Sequence, residues 1–324
     1  MAALRRGAAI GLIGALLGLA ASGCGGRGGP APSFAAQWDG RGSPFGRVSY
    51  PEGLGVDRRG QLVVADTWND RILCCDDDGN PVAAFGSTGE EKGQFLRPRS
   101  ITSDQAGYLY IVDTWNQRVQ KFSPKGRLRM SFGEKGAPWG YDEAEGKFLY
   151  PYGVAVHSEG FIFVSDFNNN RIHKFDSKGK FLYMWGIEGR QDGQFKHPAG
   201  LAMDKQDRLY VADLGNNRVQ RFTFNGKGEA VFDGKWGEPG TKPGEFDRPY
   251  GVCVDEEGNF YVADFGNHRV QCFFPSGKLM YVLGKRGTGE GELDCPLSVA
   301  VDAKRAVYVL DWGNNRIQKF VPAS

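Results

Sequence analysis

The hexapeptide DTWNDR runs from Asp66 to Arg71, and nearly the same letters, DTWNQR, return from Asp113 to Arg118. The pattern D-x-x-N-x-R occurs in four further copies, which begin at Asp166, Asp213, Asp264 and Asp311. Repeats with a period of roughly 50 residues are typical of propellers and related architectures. We therefore interpret the chain after Ser33 as one repeat fold rather than as several unrelated domains.

Each hexapeptide lies inside a unit of four short apolar runs separated by turn residues. In the third copy these runs are Gly153–Val156, Phe161–Ser165, Arg171–Phe175 and Phe181–Trp185. Runs of four or five residues rich in β-branched and aromatic side chains predict strands, because helices need longer stretches. Four antiparallel strands in each of six units predict an all-β, six-bladed β-propeller.

The two ends of the chain are predicted to share one blade. The last unit ends at RIQKFVPAS, after its third strand, and the segment SFAAQW from Ser33 resembles a fourth strand. We expect Phe34–Trp38 to complete the sixth blade and close the ring, which removes an exposed sheet edge. The predicted propeller domain is therefore 34–324.

The units resemble NHL repeats, as in RPYGVCVDEEGNFYVADFGNHRVQCF from Arg248 to Phe273. The resemblance covers about Ser33 to Phe320 and implies a six-bladed propeller. It implies no single activity, because such repeats occur in protein-binding, RNA-binding and sensor domains and in a peptide-amidating lyase. Function has to be argued from the site.

The repeated polar residues of the hexapeptide are predicted to be structural. The aspartate ends a second strand and the arginine begins a third, so that the carboxylate can pair with the guanidinium and accept turn N–H groups. We expect the asparagine to adopt a positive φ. Six equal copies around a ring do not form one active site. These residues are Asp66, Asn69, Arg71, Asp113, Asn116, Arg118, Asp166, Asn169, Arg171, Asp213, Asn216, Arg218, Asp264, Asn267, Arg269, Asp311, Asn314 and Arg316.

The variable hexapeptide letters are predicted to share one face with the loops that enter each first strand. Aromatic and polar side chains on loops above a rigid scaffold are typical of recognition surfaces. The candidate ligand-binding residues are Arg99, Trp115, Tyr152, Phe167, Tyr250, Phe265 and Trp312. We expect a monomeric module that binds a protein, peptide or glycan. The alternative is that some of these aromatics only seal one blade against the next.

An envelope lyase or hydrolase is the alternative function, with no catalytic residue assigned. The first strands carry no acid or amide for a calcium site like that of lactonases, and only Glu52 approaches the channel. Of four histidines, His197 and His268 alone are expected to meet on the loop face, and two ligands leave a zinc site incomplete. We expect no cofactor. The net charge of +2 also gives no reason to expect a nucleic acid partner.

The N-terminus resembles a bacterial lipoprotein signal. Two arginines precede an apolar run from about Gly7 to Ala21, and Cys24 follows small residues. The resemblance implies a signal peptide over 1–23, lipidation of Cys24, a flexible tether over 24–33 and membrane attachment without a span. We expect an exported protein, anchored at the outer membrane or facing the periplasm. Because Ala21 stands where such signals usually carry Leu, a secreted or periplasmic form is the alternative.

Five other cysteines form no C-x-x-C spacing: Cys74, Cys75, Cys253, Cys272 and Cys295. An odd number cannot all pair within one chain. We expect them to be unpaired thiols that pack as small hydrophobic residues.

Overall fold

Six four-stranded antiparallel sheets surround a central channel in the computed structural model, which describes residues 30–57, 59–76, 79–136 and 145–322. The first strand of each blade contacts the first strands of the two neighbouring blades, so the contacts form a closed cycle. The all-β, six-bladed prediction is confirmed.

The strands follow the predicted order within each blade. In blades 1, 2 and 3 they are Gly53–Val56, Leu62–Asp66, Arg71–Cys75 and Pro81–Phe85; Pro98–Ser103, Leu109–Asp113, Arg118–Phe122 and Leu128–Phe132; Pro151–Val156, Ile162–Asp166, Arg171–Phe175 and Phe181–Trp185. In blades 4, 5 and 6 they are Pro198–Met203, Leu209–Asp213, Arg218–Phe224 and Ala230–Trp236; Pro249–Val254, Phe260–Asp264, Arg269–Phe273 and Leu279–Leu283; Pro296–Val301, Val307–Asp311, Arg316–Val321 and Ser33–Trp38.

Short elements make up the remaining regular structure of the described residues. Glu134–Lys135 and Lys147–Phe148 form a small parallel pair between blades 2 and 3. Single 3₁₀ turns connect the second and third strands in four blades, at Thr67–Asn69, Phe167–Asn169, Leu214–Asn216 and Phe265–Asn267. No helix in this part of the chain is long and apolar enough to cross a membrane.

The N-terminal strand closes the ring as predicted. Ser33–Trp38 pairs antiparallel with Arg316–Val321, with Phe34 opposite Phe320 and Trp38 opposite Ile317. The predicted signal peptide, Cys24 and most of the tether lie outside the described residues.

Aromatic side chains of the fourth strands pack between blades. Phe85 of blade 1 lies 4.9 Å from Phe122 of blade 2, and Phe132 of blade 2 lies 4.9 Å from Phe175 of blade 3, between ring centroids. Phe85 also lies against Gly126, where a Cβ would come within 2.9 Å of the ring. The turn glycine therefore provides the space into which the preceding blade packs.

The five cysteines in the described region are free. Cys74, Cys75 and Cys272 are buried, whereas Cys253 and Cys295 are half-buried. Burial raises the pKa of the Cys74 thiol to about 11 and that of the Cys75 thiol to about 12. These two groups are neutral at physiological pH, as expected of thiols that serve as packing residues.

Candidate functional site

The polar groups of the hexapeptide are used in contacts within the fold. Asp66 is fully buried, and its Oδ2 accepts hydrogen bonds from Arg71 Nε at 2.7 Å and Asn69 Nδ2 at 2.9 Å. Its Oδ1 accepts the Ser49 N–H at 2.7 Å, which holds the loop that enters the first strand. The equivalent bonds occur in the other five copies. The aspartate thus joins a hairpin to its neighbouring loop, and its carboxylate is occupied by contacts within the fold.

The positive φ expected at the asparagine lies one residue later. Asp70 has a φ of 50°, and the equivalent residues have values between 51° and 55°. The asparagine amide donates to the aspartate, whereas in five of the six copies the side chain of the following residue accepts an N–H from the next blade. Asn170 Oδ1, for example, accepts the N–H of His197 at 2.7 Å. We did not predict this link between blades from the sequence. The signal that could have indicated it is the fifth residue of the hexapeptide, which is polar in every copy.

A continuous aromatic band runs across the loop face. Consecutive ring centroids lie 5.1 to 6.2 Å apart along it. Its members, in order, are Trp68, Tyr50, Trp312, Phe265, Tyr250, Tyr152 and Phe167. The structure therefore brings together five of the predicted aromatic residues and adds Tyr50 and Trp68 to them.

Two tryptophans at one end of this surface are half-exposed. Trp68 is 52% exposed and Trp115 is 53% exposed. The Arg97 guanidinium lies between them, 3.9 Å from the Trp68 ring centroid and 5.5 Å from that of Trp115. Arg97 and Tyr50 were not candidates in the sequence, but both occupy the position before a repeat-opening proline. The two exposed rings, with the half-buried guanidinium between them, form a surface suited to stacking contacts.

Arg99, Glu52 and Tyr152 form a polar cluster at the mouth of the channel. Arg99 Nε lies 3.1 Å from Glu52 Oε2 without aligning its N–H on the carboxylate, and the guanidinium lies 5.4 Å from the Tyr152 ring centroid. Burial raises the pKa of Glu52, while Arg99 and Arg97 oppose that shift. The Tyr152 hydroxyl is buried and has no partner among the described residues. Since buried hydroxyls normally have partners, this one is available to a ligand.

The central channel is narrow. It has a volume of about 190 Å³ and is lined by the first strands, with Glu52 as the acidic residue among the described lining residues. Tyr152 is only 5% exposed and packs with buried Ala199 and Leu214. Tyr152 therefore belongs to the wall of the channel mouth, and most of its ring packs between blades.

The four histidines do not converge on one site. His157 lies 3.6 Å from Asp207 on the opposite face, and His173 is buried beside Asp166. His197 stacks on Phe167 between blades 3 and 4, whereas His268 lies between blades 5 and 6. The pair considered in the sequence as a partial zinc site is therefore divided between two blade junctions.

The NHL repeat family matches six segments of this chain, at residues 48–75, 95–122, 148–175, 195–222, 246–273 and 293–320. This chain belongs to the NHL-repeat family. Every matched segment contains one hexapeptide and the three inner strands of one blade. The motif that determines membership is thus the same motif whose contacts connect the hairpins and loops.

Among curated relatives, this NHL-repeat protein is 46% identical over 48 residues to Protein brain tumor of Drosophila melanogaster. That match covers 15% of this chain and 5% of the relative. It is also 44% identical over 45 residues to Protein lin-41 of Caenorhabditis elegans, covering 14% of this chain and 4% of that protein. The chain therefore spans about a twentieth of the length of these relatives.

Solved propellers of several kinds resemble this NHL-repeat structure. A streptogramin B lyase has a TM-score of 0.59 at 14% identity, covering 84% of this chain and 93% of the other. A gluconolactonase from Xanthomonas campestris has a TM-score of 0.61 at 14% identity, with coverages of 92% and 97%. An auxiliary nutrient binding protein from Bacteroides thetaiotaomicron has a TM-score of 0.61 at 13% identity, with coverages of 83% and 68%. At these identities the likeness concerns the fold alone, which both binding proteins and enzymes use.

Proposed function

We propose that this NHL-repeat propeller is a binding module whose loop face recognises a peptide segment of a partner protein. The observation that carries the proposal is the pair of exposed rings, Trp68 and Trp115, with half-buried Arg97 between them at the end of the aromatic band. Tryptophan, tyrosine and arginine are the residues most enriched at the energetic centres of protein interfaces. Trp68 already packs on Tyr50 and both tryptophans lie beside the Arg97 guanidinium, which limits the entropy lost on binding.

The size of the channel supports a partner that lies across the face. Pockets that enclose a whole small molecule usually measure about 300–1,000 Å³. The channel, at about 190 Å³, is smaller and can admit one side chain or one polar group. We therefore propose that the Tyr152 hydroxyl and the Arg99–Glu52 pair hold a single polar group of the ligand, while the band binds the remainder.

An enzyme is less well supported by these contacts. The acid at the channel mouth is Glu52, which is held by Arg99, and His197 and His268 lie at separate blade junctions. General acid–base chemistry needs a second titratable group within hydrogen-bonding reach of the reacting atoms. The lyase and the lactonase among the structural neighbours keep a lyase or hydrolase as the alternative.

The binding proposal is tested by selection from a random-peptide display library on the purified protein. Selected peptides are then titrated against the triple variant Trp68→Ala, Arg97→Ala and Trp115→Ala. The matched control is Leu182→Ala with Val231→Ala, because these fourth-strand side chains are 43% and 44% exposed but lie off the loop face. Loss of at least about 2 kcal/mol of binding free energy in the triple variant only, as for an interface hot spot, supports the proposal. Equal binding by the two variants contradicts it.

A glycan array screened with the same variants distinguishes the other ligand class. Sugar rings also stack on tryptophan and tyrosine faces, so array binding that depends on Trp68 and Trp115 would keep the surface and replace the peptide. Binding that none of the substitutions changes would place recognition elsewhere on the molecule.

We also propose that the protein is exported and anchored through lipidated Cys24. The support is the sequence of 1–33 alone: a charged start, an apolar run and a small-residue cleavage site before the cysteine. Expression in a bacterial host with an alkyne fatty acid is expected to label the protein and place it in the membrane fraction. Cys24→Ser is expected to lose both properties, and a label that persists in this variant contradicts the proposal.

A further inference from the structure

Three side chains of different metal-ligating types converge between blades 5 and 6. His268 Nδ1 lies 2.9 Å from Asp294 Oδ1 and 3.9 Å from Cys295 Sγ. One ligand atom from each residue lies within 4.8 Å of the other two, and all three residues are half-buried. The cluster lies on the loop face, where His268 ends the second-to-third-strand turn and Cys295 precedes the proline that opens blade 6.

This arrangement replaces the ordinary link between blades. In blades 3, 4 and 6 the corresponding residue is an asparagine, whose Oδ1 accepts the N–H of the next blade's preproline residue at 2.7 Å. In blade 5 the acceptor is His268 Nδ1, which lies 3.1 Å from the Cys295 nitrogen. An asparagine is sufficient to accept this N–H in blades 3, 4 and 6. The bond between blades 5 and 6 therefore does not require a histidine or a cysteine.

The geometry does not fit a cysteine nucleophile. In a catalytic Cys–His–acid arrangement the nucleophile and the acid contact opposite nitrogens of the imidazole ring. Here Asp294 and Cys295 both approach Nδ1. One nitrogen, one oxygen and one sulfur atom within 4.8 Å of one another are instead close enough to bind the same metal ion.

The charges around Nδ1 favour a cation at that point. A neutral ring nitrogen either donates or accepts. His268 Nδ1 lies 3.1 Å from the Cys295 nitrogen and 2.9 Å from the Asp294 carboxylate oxygen. A cation between the ring nitrogen and the carboxylate would be attracted by the negative charge of Asp294. The N–H of half-exposed Cys295 can then bond to water.

We propose that His268, Asp294 and Cys295 bind a divalent transition-metal ion of the zinc class. A set of one sulfur, one nitrogen and one oxygen suits a borderline-soft ion better than calcium or magnesium. Three protein ligands leave one position of a tetrahedral site to water or to a donor from a bound partner. Formation of the metal–sulfur bond releases the thiol proton to solvent. The site stands apart from the peptide-binding proposal and does not depend on it.

The test is titration of the purified protein with Zn²⁺ by calorimetry and with Co²⁺ by absorption spectroscopy. We expect one ion per chain and a thiolate-to-cobalt charge-transfer band. Cys295→Ser is expected to lose that band. His268→Asn is expected to lower the affinity for Zn²⁺ by more than about 100-fold, since loss of a direct ligand exceeds the 10–100-fold effect of outer-shell partners.

The repeat provides the controls. His268→Asn introduces the residue found at this position in blades 3, 4 and 6, so the interblade link and the fold are expected to be retained. His197→Arg removes the other histidine of the loop face. Arginine is the residue that precedes the first-strand proline in blades 2 and 5, so this variant is expected to fold and to leave metal binding unchanged. If His268→Asn binds Zn²⁺ as tightly as the parent, or if the cobalt band survives Cys295→Ser, the proposal is wrong.

Discussion

His173 is a buried histidine whose replacement is expected to change the pH dependence of stability. It is fully buried, and its Nε2 lies 3.1 Å from Asp166 Oδ2. Burial lowers the pKa of His173, and the Arg171 guanidinium acts in the same direction, although Asp166 opposes both effects. The imidazole is therefore neutral in the folded protein at a pH where an unfolded histidine takes up a proton.

The sign and size of the effect follow from proton linkage. Because the folded pKa lies below the unfolded value of about 6.5, the stability is fully present above that pH and is lost as the pH falls below it. The slope approaches about 1.4 kcal/mol per pH unit for one proton. Between pH 6.5 and 5.5 the parent is expected to lose at most about 1 kcal/mol from this group.

His173→Gln removes this pH-dependent loss of stability and introduces a residue that the fold accommodates in other blades. Glutamine occupies the equivalent position in four blades, where its Nε2 lies 3.0 to 3.2 Å from the buried aspartate. Its Oε1 accepts the N–H of a glycine located 27 residues earlier, and Gly146 stands at that distance from His173 with a similar positive φ. The variant is therefore expected to fold and to resist acid better than the parent.

Urea unfolding of both proteins, followed by tryptophan fluorescence from pH 7.5 to 5, measures the difference. Between pH 6.5 and 5.5 the free energy of unfolding is expected to fall more in the parent than in the variant, by at most about 1 kcal/mol. Parallel curves would mean that His173 binds a proton in the folded state as readily as in the unfolded chain. A steeper loss in the variant would contradict the assigned direction of the pKa shift.

Three further substitutions test the fold and the site. Asp264→Ala leaves the buried Arg269 guanidinium without its anion and is expected to lower the free energy of unfolding by about 3–5 kcal/mol in urea titrations. A change below about 1 kcal/mol would refute a structural role for the motif. Gly126→Ala places a Cβ against Phe85 at a φ of +70° and is expected to destabilise the folded protein by about 1–3 kcal/mol, measured by thermal melting. An unchanged melting temperature would show that blades 1 and 2 can move apart at this point without loss of stability. Tyr152→Phe keeps the ring and removes a hydroxyl that has no partner among the described residues. The free energy of unfolding is expected to change by less than about 1 kcal/mol, while binding of selected peptides weakens by about 1–3 kcal/mol. Equal binding by parent and variant would show that the hydroxyl does not contact the ligand.

The loop face shows where sequence reasoning succeeds and where it ends. Trp312, Phe265 and Tyr250 could be placed on one face because strand order and repeat position determine the side of the sheet on which a loop emerges. Their exposure could not be predicted, because it depends on how far each ring leans onto its neighbour. Tyr152 is buried in the wall, whereas Trp115 projects from the surface beside Arg97.

The convergence of His268, Asp294 and Cys295 needed the folded chain. In the sequence, His268 and Cys295 lie 27 residues apart, a separation also found between other residues that link neighbouring blades. The repeat alignment could therefore predict that His268 and Cys295 lie close together. It could not predict that the Asp294 side chain points toward the His268 ring. His197 and His268 were grouped by face, and only the arrangement of the blades separated them.

By itself, the sequence determined the number of blades, the strand order, the closing strand and the structural use of the hexapeptide. These properties are local or periodic: alternating short apolar runs, turn residues and a six-fold polar motif each act within a single unit or between adjacent units. The tertiary structure alone decided which aromatic rings touch, that the Tyr152 hydroxyl has no partner within the described parts of the chain, and that three ligating atoms meet between blades 5 and 6. Those properties depend on the positions of side chains from different blades to within about an ångström, and the repeat pattern does not specify positions that closely.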